Sequence, residues 1–121
     1  MARILLVEDS QTESRAYAQI LQKNGHEVTT AENGEQGVQK ARENLPDLIL
    51  MDVVMPGLNG FQATRQITRG DATNHIPVVI VSTKDQETDK VWGARQGARA
   101  FLTKPVSEKL LLDTINQALA G

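Results

Sequence analysis

The 121-residue sequence contains no cysteine. That excludes disulfide staples, thiolate metal sites and cysteine nucleophiles, and it fits a reducing compartment. Aromatic residues are only 3% of the chain, too few for a base-stacking surface. No excess of positive charge exists: 13 Lys and Arg stand against 15 Asp and Glu, a net charge of −2. Nothing general therefore draws the chain to nucleic acid or an anionic membrane. Long hydrophobic runs are missing too. The stretch Ile4-Leu5-Leu6-Val7 stops at Glu8-Asp9, which leaves neither a signal-peptide core nor a membrane span. A cytoplasmic protein with no nucleic-acid and no membrane partner is expected. What remains is 40% apolar and 23% charged, the balance of one folded domain with its own core.

Short apolar runs alternate with longer amphipathic segments. The runs are Ile4–Val7, the more polar Val28–Ala31, Leu48–Met51, Val78–Val81 and Ala100–Thr103. Runs without polar alternation suit strands covered on both faces, as in a parallel sheet. Between them, Tyr17, Ile20 and Leu21 share a helical face, as do Val38, Ala41 and Leu45, and Leu111, Ile115, Ala118 and Leu119. A third helix, from Phe61 to Thr68, has weak periodicity. A fourth, from Gln86 to Gln96, offers little beyond Val91, Trp92 and Ala94. Ser10-x-x-Glu13 reads as a capping box, with Asn33-x-x-Gln36 and Asn59-x-x-Gln62 as Asn-capped versions. Gly25, Gly70 and Gly97 stand where helices end. Right-handed βα units of this size predict an α/β fold: a single flavodoxin-like, doubly wound (βα)5 domain whose five-stranded parallel sheet has the order 2-1-3-4-5.

The residues after each run carry the chemistry: Glu8 and Asp9, then Asp52, then Ser82 and Thr83, then Lys104-Pro105. In a parallel sheet these positions converge at the carboxyl edge, where ligands of open α/β folds bind. Crowded carboxylates repel one another unless a cation joins them, and hard oxygen ligands suit Mg²⁺. A lysine and a hydroxyl beside them complete the parts of a phosphoryl-transfer site. Asp52, between the acidic pair and the lysine, is the candidate nucleophile for an aspartyl-phosphate.

Glu8-Asp9, Asp52 within Leu-Met-Asp-Val-Val-Met-Pro-Gly-Leu-Asn-Gly, Ser82 and Lys104-Pro105 together make the chain resemble the CheY-type receiver domains of two-component response regulators, over residues 1–121. The stretches Met55–Gln66 and Thr83–Val106 resemble the PilH-type single-domain regulators of twitching motility and type IV pili. The resemblance implies that Asp52 takes a phosphoryl group from a CheA-like histidine kinase. It implies that Asp9, Asp52 and the backbone carbonyl of Val54 ligate Mg²⁺, with Glu8 acting through a bound water. Lys104 would pair with phosphoryl oxygens, and Ser82 would move toward them, with Phe101 following inward. A cis peptide is expected before Pro105. Thr83 is bulkier than the usual neighbour of the switch hydroxyl and is expected to restrict attacking water. A downstream pilus or motility protein, a monomeric state, and intrinsic phosphorylation and dephosphorylation as the only enzymatic chemistry are expected.

Alternatives bear on several of these residues. Trp92 is either core filler or, among Asp89, Lys90 and Arg95, a half-exposed partner anchor with Arg95 beside it. His26 and His75 read as separate surface residues, not metal ligands. A nucleotide binder would need a Gly-rich loop where Glu8-Asp9 stands. An aspartyl-nucleophile phosphatase would need an acid at position 54, which is Val. A receiver that merely drains phosphate from a shared kinase keeps the same residues. The chain ends at Gly121 with no linker in view, so output is expected through the surface of this one domain.

Overall fold

The computed structural model describes all residues from Met1 to Gly121. In chain order the elements are β1 (Arg3–Val7), α1 (Gln11–Lys23), β2 (Glu27–Ala31), α2 (Gly34–Asn44), β3 (Leu48–Met51), α3 (Gly60–Arg69), β4 (Val78–Ser82), α4 (Glu87–Arg95), β5 (Ala100–Thr103) and α5 (Glu108–Ala120). The sheet is parallel throughout, in the order β2-β1-β3-β4-β5. The expected flavodoxin-like order is therefore the one observed.

Alternation along each strand splits the core into two layers. Leu5, Val7, Ile49, Met51, Val78 and Ile80 face Val38 and Ala41 of α2 and Phe61, Ala63 and Ile67 of α3. Ile4, Leu6, Leu48, Leu50, Val79, Val81 and Leu102 face Leu21 of α1 and Leu111, Ile115 and Ala118 of α5. Each fully buried aliphatic side chain contributes roughly 1.5–3 kcal/mol relative to exposure. The sheet is thus clamped from both sides, and its strand ends are rigid mounts.

Three local expectations need correction. Leu45 does not continue the buried face of α2. It caps that helix in the left-handed region (φ 46°) and is 44% exposed. Helix α3 is sharply one-sided, not weakly periodic: Gly60, Phe61, Ala63, Thr64 and Ile67 are buried while Gln62, Arg65, Gln66 and Arg69 are exposed. Gly70 does end α3, as expected, with φ −74°, while the helix-end glycines Gly25 and Gly97 take the left-handed region. The Ser10 hydroxyl does accept from the Glu13 amide, but the Glu13 side chain does not return to the cap. Asn59 and Gln62, by contrast, form both bonds of a capping box.

Helix α4 is attached differently from the others. Only Gly93 is buried on it. A Cβ there would lie 3.1 Å from the Phe101 ring and 3.2 Å from Ile80, so the missing side chain lets the helix backbone rest on β4 and β5. Val91 and Trp92 are 45% and 48% exposed, and Ala94 is also exposed.

Candidate functional site

The strand ends deliver the acidic residues to one place. The Glu8 amide donates to the Ala31 carbonyl (3.0 Å), and the Asp52 amide donates to the Val7 carbonyl (3.0 Å), so each residue extends its strand by one bond. Carboxylate oxygens of Glu8, Asp9 and Asp52 all lie within 4.8 Å of one another. Glu8 and Asp52 are buried and Asp9 is exposed, so the cluster opens to solvent on the Asp9 side. Gly60 tightens the floor: a Cβ on it would stand 2.0 Å from the Asp52 carbonyl oxygen.

Lys104 is brought in from the other side. Its amide donates to the Ser82 carbonyl (2.7 Å), which ties it to the end of β4. The Lys104–Pro105 peptide is cis, as expected. The ammonium lies 2.8 Å from Glu8 Oε1, 2.8 Å from Glu13 Oε1 and 3.7 Å from Asp52 Oδ1. Glu8 Oε2 accepts the Ser10 amide at 3.0 Å.

Electrostatics follow from this crowding. Burial, and then the neighbouring Glu8 charge, push Asp52 up to about 6, only partly offset by Lys104 and the Val53 amide. Burial works to lower Lys104, but the hydrogen bonds it donates to Glu13 and Glu8 reverse that and hold it above the ordinary lysine value. Burial also raises the Tyr17 phenol, whose ring centroid lies 6.0 Å from the Lys104 ammonium. The Asp52 carboxylate is thus an ionisable group short of counter-charge, with oxygen ligands around it. That donor set fits a hard divalent cation with retained waters.

Ser82 is fully buried at the end of β4, its hydroxyl accepting from the Lys84 amide at 3.2 Å. Thr83, the next residue, is exposed. Val54 lies on the loop beyond Asp52 with a 56% exposed side chain. Phe101 pairs with Ile80 across the sheet and packs, half-buried, between the core and Gly93. Trp92 and Arg95 lie on α4, away from the carboxylates and exposed. The histidines are not unrelated: both border one hollow at the opposite edge of the sheet, where His26 Nδ1 accepts the Ala2 amide at 3.1 Å. Sequence reasoning missed Glu13 and Tyr17 as neighbours of Lys104. Their only signal was position, one and two turns into the helix that follows Glu8-Asp9.

The sequence and the fold recur in known proteins. Over its full length the chain is 64% identical to Protein PilH of Pseudomonas aeruginosa, the match covering all of both chains. The chemotaxis protein CheY4 of Vibrio cholerae superposes with a TM-score of 0.91 at 30% identity, covering 98% of each chain. The receiver domain of the sensor histidine kinase PA1611 of Pseudomonas aeruginosa, described with a magnesium ion coordinated in its active site cleft, superposes with a TM-score of 0.92 at 28% identity, covering 99% of this chain and 98% of that one. No helix here is long and apolar enough to cross a membrane. With residues 4–116 matching the same family, a parallel sheet that gathers Glu8, Asp9, Asp52 and Lys104 at its carboxyl edge places this chain among the response regulator receiver domains.

Proposed function

We propose that Asp52 is the phosphoacceptor of this receiver, taking a phosphoryl group from the phosphohistidine of a CheA-like kinase. The observation that carries it is the setting of the Asp52 carboxylate, buried, within 4.8 Å of two further carboxylates and 3.7 Å from Lys104. An Asp52 oxygen attacks phosphorus, the P–N bond breaks, and the histidine nitrogen leaves with the bonding pair. Asp52 must be ionised to attack, and a group near 6 is mostly ionised at neutral pH. Glu8, Asp9, Asp52 and the Val54 carbonyl would hold Mg²⁺, which supplies positive charge for the transferring oxygens. Lys104 adds a second positive charge beside Asp52.

The product carries about two negative charges where there was one, and more acceptor oxygens. Lys104 and the buried Ser82 hydroxyl are the donors nearest to gain by moving toward them. A shift of Ser82 at the end of β4 would pass to the paired β5, whose Phe101 lies against Gly93, and so bear on the loosely attached α4. The exposed Trp92, with Arg95, is the anchor we assign to a pilus or motility partner. That partner, the cytoplasmic location and the monomeric state rest on the resemblance to PilH-type regulators. Thr83 at the rim is assigned a role in limiting hydrolysis.

Incubation with Mg²⁺ and a small phosphodonor, followed by intact mass, tests the reading. The unchanged protein gains one phosphate and Asp52→Asn gains none. A stable adduct on Asp52→Asn would overturn it.

A further inference from the structure

Lys104 carries three N–H bonds, and the carboxylates around it compete for them. Glu8 Oε1 and Glu13 Oε1 each stand 2.8 Å away, while Asp52 Oδ1, at 3.7 Å, is beyond hydrogen-bond reach. Glu8 and Asp52 belong to the cluster that could hold a cation, whereas Glu13 does not. Glu13 is also the only one of the three with substantial exposure, its side chain 44% accessible against 2% and 9%. It comes from the first turn of α1 and sits at the mouth of the pocket.

We propose that Glu13 is a positioning residue that tethers Lys104 toward the rim, keeping its ammonium, which already touches Glu8, from closing on Asp52 as well and so leaving the acidic pocket open to a divalent cation. The inference rests on the reading of Glu8, Asp9 and Asp52 as the Mg²⁺ site. An ammonium seated among those carboxylates is a direct competitor for Mg²⁺. With the tether cut, Lys104 satisfies its free N–H on Asp52 or more fully on Glu8. The site then binds the metal less well although no metal ligand has changed. The phosphoryl group, once formed, offers the oxygens that draw Lys104 away from Glu13.

Magnesium titration by calorimetry, with chloride as the counter-ion, tests this on the full chain. Glu13→Gln should weaken Mg²⁺ binding about three- to fivefold, the scale of one partly exposed ion pair. Glu13 also adds a negative charge near the site, which alone would favour Mg²⁺. The two causes separate in the Lys104→Gln background. If Glu13 acts through the lysine, Glu13→Gln has little effect there. The same loss in both backgrounds would mean simple charge and would overturn the tether. Unchanged Mg²⁺ binding in Glu13→Gln would overturn it as well. Failure of the unchanged protein to bind Mg²⁺ would instead sink the metal site itself. Thermal unfolding of each variant confirms that a folded protein is being titrated, and Glu13, being half-exposed, tolerates Gln.

Discussion

At the amino edge of the sheet a hollow of about 870 Å³ opens between Met1, His26, Asp47, His75, Arg99 and Gly121. At the carboxyl edge the cavity beneath Glu8, Tyr17 and Asp52 measures about 10 Å³. A search for space would choose the amino edge. The chemistry we propose lies at the other, because it needs charge held close and not a chamber for a large ligand. Buried Glu8 and Asp52 and half-buried Lys104 are fixed by bonds to neighbouring strands, whereas the amino-edge groups are mostly exposed and the hollow brings no three potential ligands together. Volume marks where water can sit. Crowded like charges, held against their repulsion, mark where a cation and a transferred anion would be welcome.

Substituting a glycine at each edge separates packing from backbone strain and should give the largest difference. At Gly60 a new Cβ meets the Asp52 carbonyl oxygen at 2.0 Å and the Val53 Cα at 2.7 Å, both backbone atoms that cannot swing aside. Gly60→Ala should cost about 3 kcal/mol or more and displace the Asp52 strand end. Gly25 has φ +87° with nothing within 4 Å, so Gly25→Ala meets only the left-handed backbone penalty, roughly 1–2 kcal/mol. Urea unfolding of both variants measures the contrast. Equal losses would show that the acidic edge is no more tightly built than the open one.

The acidic edge should also store charge strain that pH can release. Asp52 lies near 6 in the folded protein against an ordinary 3.8 when unfolded, so folding favours its protonated form. Its stabilising contribution is present below about pH 4 and is lost as pH rises through about 6. Asp52→Asn removes the titration. In metal-free buffer the variant should therefore exceed the unchanged protein by about 3 kcal/mol at most above pH 7, with the gain vanishing toward pH 4. Mg²⁺ should narrow the gap by stabilising the protein that keeps all three carboxylates. Melting curves across pH would show it, and a difference that ignores pH would refute it.

Reading from sequence succeeded where a residue's neighbours are dictated by topology. Glu8, Asp9, Asp52, Ser82 and Lys104 each follow an apolar run, and a parallel sheet sends all run ends to one edge. It failed where contacts depend on the course of a side chain. Glu13 looked like half of a capping box because spacing alone cannot say that its carboxylate turns to Lys104. Helix α3 looked indistinct because two of its buried positions are Gly60 and Thr64, which carry little hydropathy; the Thr64 hydroxyl is buried without a partner. Leu45 kept the helical period after the backbone had left the helix. His26 and His75 looked unrelated because loops at the amino edge meet without any strand to announce it.

The smallest effect should come from the best-bonded acidic residue of the amino edge. Asp47 Oδ2 accepts the Arg3 amide at 2.7 Å, and the Asp47 amide returns a bond to the Arg3 carbonyl at 2.8 Å, joining the starts of β1 and β3. Both groups are exposed, so water replaces the side-chain bond when it is lost. Asp47→Ala should cost about 1 kcal/mol, and Asp47→Asn, which keeps an acceptor oxygen, less. Neither variant should alter Mg²⁺ affinity or the phosphate adduct, since the proposed site for both lies at the opposite end of the sheet. A change in Mg²⁺ binding with either substitution would mean that the two edges are coupled through β1 and β3.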